Sequence, residues 1–173
     1  MSAPVHDPRR RLLLGAGGGL LLAAVLPRPA GAGDALEIGM SGTSTGSEVW
    51  FRPRGLLVRP GQAVRWLNRD AGNVHTSTAY HPANGKPLRM PEGAKPWNSD
   101  YLLPGQSFTV VFDIPGVYDY FCLPHEHAGM VGRIVVAGAD AARPYAATDA
   151  RLPSAAAAGF PDVAAILKQG RVD

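Results

Sequence analysis

Short apolar or alternating runs, separated by turn residues, follow one another between about residues 35 and 137. Turn dipeptides Pro60-Gly61, Pro104-Gly105 and Pro115-Gly116 stand between neighbouring runs. No helical periodicity competes within this span. The runs are Leu36–Met40, Val49–Phe51, Leu56–Val58, Ala63–Leu67, His75–Thr78, Phe108–Phe112, Val117–Phe121 and Arg133–Ala137. Some seven or eight strands of ordinary length in about 100 residues predict an all-β fold, an antiparallel two-sheet Greek-key sandwich or barrel.

Two segments depart from this pattern. Residues 80–101 contain four prolines, which exclude a regular strand and predict a long ordered loop. Residues 139–173 form an alanine- and proline-rich, mostly irregular extension. A proline at 161 and a glycine at 170 predict a short helix over residues 161–169, with Val163, Ile166 and Leu167 on one side. We therefore expect a sandwich domain at 33–138 and an extension at 139–173.

The first 32 residues have the pattern of an export signal. Three arginines at 9–11 precede a 15-residue apolar run, Leu12–Leu26, and Ala30-Gly31-Ala32 offers a cleavage site. Cleavage near Gly33 is predicted, because a membrane span needs about 20 apolar residues and this run is short and diluted by glycine. The arginines and the glycine-rich run also resemble a twin-arginine signal, which exports folded proteins. An uncleaved signal that anchors the protein to the membrane, with the domain facing the periplasm, is the alternative.

Loss of this signal changes the net charge. The whole chain has 17 basic and 14 acidic residues, and the signal contains four arginines and one aspartate, so 13 of each remain. A neutral mature protein gives no reason to expect nucleic-acid binding, which requires a basic surface.

The chemistry of the chain is concentrated in CLPHEHAGM, residues 122–130, which contain the only cysteine. A lone cysteine cannot form an internal disulfide, and on its own it is more often an inert buried thiol. Here Cys122 follows one predicted strand and Met130 precedes the next, with His125 between them. His75 follows an earlier strand and is expected at the same end of the sandwich. A thiolate, two imidazoles and a thioether are the ligands of a blue-copper site, whereas structural zinc prefers four short Cys or His bonds.

These residues and their surroundings resemble the cupredoxins, the type 1 blue-copper proteins, most closely the plastocyanin and pseudoazurin branch. The resemblance lies in YFCLPHEHAGMVGRIVV at 120–136 and VRPGQAVRWLNRDAGNVHT at 58–76, and it covers about residues 35–137. In that family the loop reads Cys, two residues, His, four residues, Met. This spacing implies a metal site for one copper ion formed by His75, Cys122, His125 and Met130.

Some positions near the predicted site differ from the family pattern or compete with it. His127 stands where a longer ligand loop would place its histidine, but its distance to the methionine does not fit, so we expect a neighbouring or surface residue. His81 precedes a proline and is expected on a loop surface. The family commonly has Asn after the first histidine, where this chain has Thr76. It commonly has Ser or Thr after the cysteine, where this chain has Leu123.

The resemblance implies a small periplasmic electron carrier that cycles between Cu(II) and Cu(I), and not an enzyme. Its expected partners are redox proteins, such as c-type cytochromes or a periplasmic oxidoreductase, which dock transiently near His125. The ring edge of His125 is expected to reach the surface amid an apolar rim that includes Leu123, Pro124 and Met130. A monomer is expected.

Three alternatives stay open. A single-domain copper enzyme, as among the red cupredoxins, would need an open coordination position, but a methionine stands at 130. Copper delivery usually requires clustered methionines, and those of the mature chain, Met40, Met90 and Met130, are scattered. Nucleophilic catalysis by Cys122 would leave Met130 without a role.

Overall fold

Two β-sheets pack face to face in this computed structural model, which describes residues 35–138, 145 and 149–173. One sheet has the strand order β2-β1-β4-β6, and the other has β5-β7-β8-β3-β9. The strands are β1 (Leu36–Gly42), β2 (Val49–Arg52), β3 (Gly55–Val58), β4 (Gln62–Asn68), β5 (Thr78–Ala79), β6 (Ser107–Phe112), β7 (Gly116–Phe121), β8 (Val131–Val136) and β9 (Arg171–Val172). The predicted sandwich is therefore confirmed.

Alternation of apolar and polar residues explains how the sheets close. In β4, Val64 and Trp66 are fully buried between the sheets, while the intervening Arg65 lies outside. Trp66 packs edge-on against Tyr120 of β7, with ring centroids 5.3 Å apart. Both sheets are mixed, contrary to the antiparallel expectation, because β1 pairs in parallel with β4 and β3 pairs in parallel with β8. These parallel pairs join strands that are distant in sequence.

The predicted strand at His75–Thr78 was wrong in its position. The structure has only the two-residue β5, Thr78–Ala79, and His75 makes an isolated bridge to Leu102. The reason is local, because the backbone amide of Thr76 donates to the sulfur of Cys122 instead of joining a strand ladder.

The loop at 80–101 contains one turn of 3-10 helix, Pro82–Asn84, and no named strand. Two of its side chains, Met90 and Trp97, are nevertheless part of the main core. Trp97 packs against Trp66 and Phe112. The loop is thus an ordered wall of the sandwich.

The described part of the C-terminal extension forms helix α1 (Ser154–Gly159), helix α2 (Val163–Gln169) and strand β9. Asp162 caps α2 by accepting a hydrogen bond from the amide of Ala164. Val163 and Ile166 are buried against β7 and β8, but Leu167 is 40% exposed, so the expectation that it shares their side was wrong. The alanine-rich sequence gave no signal for α1 or β9.

The predicted export signal at residues 1–32 lies outside the described residues. Within the part of the chain that the structure describes, no helix has the length and apolar composition needed to cross a bilayer.

Candidate metal centre

Cys122 lies at the end of β7, where the chain turns into a 3-10 helix, Leu123–Ala128. Its amide donates to the carbonyl of Met130 at 3.0 Å, which closes the loop at its base. Within the loop, the amide of His125 donates to the Cys122 carbonyl at 3.0 Å. Gly129 ends the turn at φ 81°, and a β-carbon there would meet the carbonyl oxygen of Ala155 at 3.1 Å. Residues 122–130, called the ligand loop below, thus have a fixed shape.

Three predicted ligands converge at this loop. Cys122 Sγ lies 3.4 Å from His125 Nδ1 and 3.7 Å from His75 Nδ1, and all three atoms lie within 4.8 Å of one another. Atoms bound at about 2.0–2.3 Å around one ion in a trigonal plane are separated by about 3.5–4 Å. The spacing therefore fits a single first-row transition-metal ion.

The orientation of His75 is set by a carboxylate that sequence reasoning missed. Asp70 Oδ2 lies 3.1 Å from His75 Nε2, so Nε2 carries the proton and Nδ1 presents its lone pair toward Cys122. Burial alone would raise the pKa of Asp70, but hydrogen bonds from Gly72, Asn73 and His75 lower this pKa to about 2. Asp70 is therefore an ionised acceptor. The sequence signal that could have identified Asp70 as the partner of His75 was its position in a turn, five residues before the histidine.

The thiol of Cys122 is fully buried, and burial raises its pKa to about 11 in the metal-free protein. The amide of Thr76, at 3.3 Å from Sγ, partly offsets this effect. A thiolate is the form that binds metal, and a bound cation provides the charge that stabilises it. The site is thus suited to a metal and poorly suited to a free nucleophilic thiolate.

Thr76 joins the two ligand-bearing segments, the role that the resemblance assigns to an asparagine. Its Oγ1 accepts a hydrogen bond from the amide of Leu123 at 2.8 Å, so a backbone group replaces the hydroxyl that Leu123 lacks. The segment after β4 and the ligand loop are therefore linked despite both departures from the family pattern.

Met130 is 1% exposed and belongs to the same core cluster as Cys122. Its amide donates to the carbonyl of His125 at 3.1 Å, which fixes the Met130 backbone beside that of His125. Its burial shows that it is not part of an exposed rim, contrary to the expectation from sequence.

His125 is half-buried, and burial lowers its pKa, with a smaller contribution from His75. Leu123, 46% exposed, and the exposed Pro124 stand beside it in the ligand loop. His127 is exposed and lies outside the ligand cluster.

The next loop residue, Glu126, is only 3% exposed. It accepts a hydrogen bond from Tyr80 Oη at 2.8 Å and forms an ion pair with Lys86. The sequence gave no indication that this glutamate would be buried. Through Tyr80 and Lys86, Glu126 fixes the ligand loop to the segment that follows β5.

A family model described as copper-binding proteins of the plastocyanin/azurin family matches residues 38–137. The chain belongs to that family. Among curated cupredoxins, chloroplastic plastocyanin of Tetradesmus obliquus is 37% identical over 99 residues, a match that covers 55% of this chain and 63% of the relative. The chloroplastic plastocyanin of Oryza sativa subsp. indica is 31% identical over 146 residues, covering 78% of this chain and 90% of the relative.

A pseudoazurin from Sinorhizobium meliloti is similar in structure, with a TM-score of 0.54 and 27% identity. The match covers 78% of this chain and 98% of the pseudoazurin. The expected cofactor, one copper ion, is thus supported by the family and by the His75, Cys122 and His125 cluster.

Proposed function

We propose that this cupredoxin is an exported, monomeric electron carrier in which His75, Cys122, His125 and Met130 hold one copper ion. The bound copper supplies a one-electron couple between Cu(II) and Cu(I). Cys122 provides the thiolate, the two histidines provide imidazoles, and Met130 provides the weak axial contact that helps to set the potential.

The observation that carries this proposal is the difference in exposure among the ligands. His75 and Cys122 are 0% exposed and Met130 is 1% exposed, whereas His125 is half-buried. A substrate needs an open coordination position, but an electron needs only a short path to the surface. The arrangement therefore favours electron transfer over catalysis at the metal.

His125 is the proposed port for the electron, and its neighbours Leu123 and Pro124 form the apolar contact for a partner. Small apolar contact areas suit brief redox encounters. A c-type cytochrome or a periplasmic oxidoreductase has the chemistry expected of such a partner.

Electron exchange with a c-type cytochrome tests this function. The copper-loaded protein should exchange one electron reversibly with the cytochrome, and added azide should leave its visible spectrum unchanged. Leu123→Glu should slow the reaction about tenfold, whereas Leu167→Glu on α2, of similar exposure, should not. Failure of reversible one-electron cycling, or a new colour on azide binding, would contradict the proposal.

Export by the twin-arginine route is a separate part of the proposal, carried by the arginines at the start of the chain. Simultaneous Arg9→Lys and Arg10→Lys substitutions should keep the protein in the cytoplasm, as measured by cell fractionation. Export that continues unchanged in this variant would contradict the route.

A further inference from the structure

A series of hydrogen bonds through the side chains of Thr76, Thr78 and Asn98 connects the ligand loop to residues 98–100, which lie outside the predicted copper site. We propose that Thr78 and Asn98 are positioning residues of the copper site, which act through Thr76 on the segment that carries Cys122. The inference rests on the proposed ligand set and deepens it.

The chain of bonds has four steps. The amide of Leu123 donates to Thr76 Oγ1 at 2.8 Å, and Thr76 Oγ1 lies 3.0 Å from Thr78 Oγ1. The hydroxyl of Thr78 donates to Asn98 Oδ1 at 3.2 Å, and the same oxygen accepts from the amide of Asp100 at 3.0 Å. We call Thr76, Thr78 and Asn98 the hydroxyl relay.

Each hydroxyl hydrogen in the relay has only one acceptor to which it can donate. Asn98 Oδ1 can only accept, and the Asp100 amide fixes which end of the Asn98 side chain faces Thr78. The hydroxyl hydrogen of Thr78 is therefore committed to Asn98. The hydrogen of Thr76 must point to Thr78, which leaves the Thr76 oxygen free to accept from Leu123.

Burial makes this order strict. Thr76 is 1% exposed and Thr78 is 0% exposed, so water does not readily replace a missing partner. Thr78 also pairs with Phe121 in the ladder between β5 and β7, one residue before Cys122. Loss of the Thr78 hydroxyl would leave the Thr76 hydrogen without its acceptor and allow the Thr76 side chain to rotate away from Leu123.

The relay acts on the predicted copper site through the backbone of Thr76, whose amide donates to Cys122 Sγ at 3.3 Å. A hydrogen bond to the sulfur withdraws electron density from the thiolate, which favours Cu(I) over Cu(II) and raises the reduction potential. A relay that holds Thr76 against both Leu123 and Cys122 therefore acts on the potential from residues that do not contact the copper.

Three variants test this role. Thr78→Val removes the hydroxyl and keeps the shape of the side chain, and Thr78→Ser keeps the hydroxyl. Ser77→Ala is the matched control, because it removes the bond from Trp97 Nε1 to Ser77 Oγ in the same segment and leaves the relay intact.

The first measurement uses the metal-free protein and records amide hydrogen exchange by NMR. Exchange at Leu123 should be roughly 3- to 10-fold faster in Thr78→Val. It should be close to wild type in Thr78→Ser and Ser77→Ala. The second measurement uses the copper form, in which the midpoint potential should fall in Thr78→Val and return in Thr78→Ser.

Unchanged Leu123 exchange and unchanged potential in a folded Thr78→Val protein would overturn the inference, and so would an equal effect of Ser77→Ala. If Thr78→Val does not fold, Asn98→Ala replaces it, because Asn98 is exposed and its removal takes away the last acceptor. The same two shifts are then expected, and their absence overturns the relay. The exchange experiment needs no metal, so failure of the relay is distinguishable from failure of the wild-type protein to bind copper.

Discussion

The hydroxyl of Tyr80 donates a hydrogen bond to Glu126 Oε1 at 2.8 Å, and both side chains are buried. Burial, together with the nearby Glu126 carboxylate, raises the pKa of Tyr80, so the hydroxyl remains a donor across the physiological range. This bond joins the segment after β5 to the middle of the ligand loop. The ligand loop is therefore held at two points, by Tyr80 at Glu126 and by Thr76 at Leu123.

Tyr80→Phe removes this support without changing the shape of the ring. We expect the free energy of unfolding to fall by about 1.5–3 kcal/mol, because a bond to a buried charged group is lost. The copper form should also show a changed visible spectrum, since the ligand loop is less constrained.

Tyr118→Phe is the matched control for this prediction. It removes a bond to the carbonyl of Ile114 at 2.7 Å, near the start of β7. A loss of about 1 kcal/mol with an unchanged copper spectrum is expected. Equal spectral changes in the two variants would argue against support of the loop by Tyr80.

The C-terminal helix α2 should stabilise the sandwich through Ile166. A β-carbon added at Gly55 of β3 would meet Ile166 at 2.7 Å, so the helix lies directly against this strand. Ile166→Ala should lower the free energy of unfolding by about 2–4 kcal/mol in denaturant titrations. Leu167→Ala, at the neighbouring exposed position, should change it by less than about 0.5 kcal/mol. Similar losses at both positions would show that α2 is not docked in this orientation.

Two histidines of the ligand loop should behave differently. His125→Gln removes a proposed ligand whose Nδ1 lies 3.4 Å from Cys122 Sγ, so copper affinity should fall at least about tenfold, and the visible spectrum should change. His127→Gln should leave affinity and spectrum as in wild type, because His127 is exposed and outside the cluster. Copper titrations of both variants distinguish the two assignments, and a larger effect at His127 would reverse them.

Met130→Leu tests the axial contact with a side chain of similar volume. A thioether donates more electron density to Cu(II) than to Cu(I), so its loss should raise the midpoint potential while copper remains bound. The free energy of unfolding of the metal-free protein should change by less than about 1.5 kcal/mol. A wild-type potential in this variant would remove Met130 from the ligand set.

Most of the fold was predictable because the sandwich strands show their burial in the sequence. Apolar and polar residues alternate along β4, and proline-glycine pairs stand next to the ends of several strands. The position of β5 was missed because the His75 ring bonds to Asp70 and the Thr76 amide bonds to Cys122, and the pattern of hydrophobic residues does not show such bonds. Helix α1 was missed because its run of alanines carries no amphipathic signal, although Ala156 is buried and Ala155 lies beside Gly129 of the ligand loop.

The convergence of His75, Cys122 and His125 was predictable because the cupredoxin resemblance supplied their spacing and each lies in a segment that follows a strand. The interactions around them were not. Asp70, Glu126 and Thr78 are ordinary loop or strand residues in the sequence, and their partners lie 5, 46 and 20 positions away. Contacts of this kind depend on how the loops fold over the end of the sandwich.

The visible and paramagnetic spectrum of the purified protein with Cu(II) tests the central claim most directly. An intense blue absorption, bleached by a mild reductant and absent from a folded Cys122→Ser variant, is the predicted result. A wild-type protein that stays colourless with bound Cu(II), or a Cys122→Ser variant that keeps the blue absorption, would contradict the assignment of Cys122 as the copper thiolate.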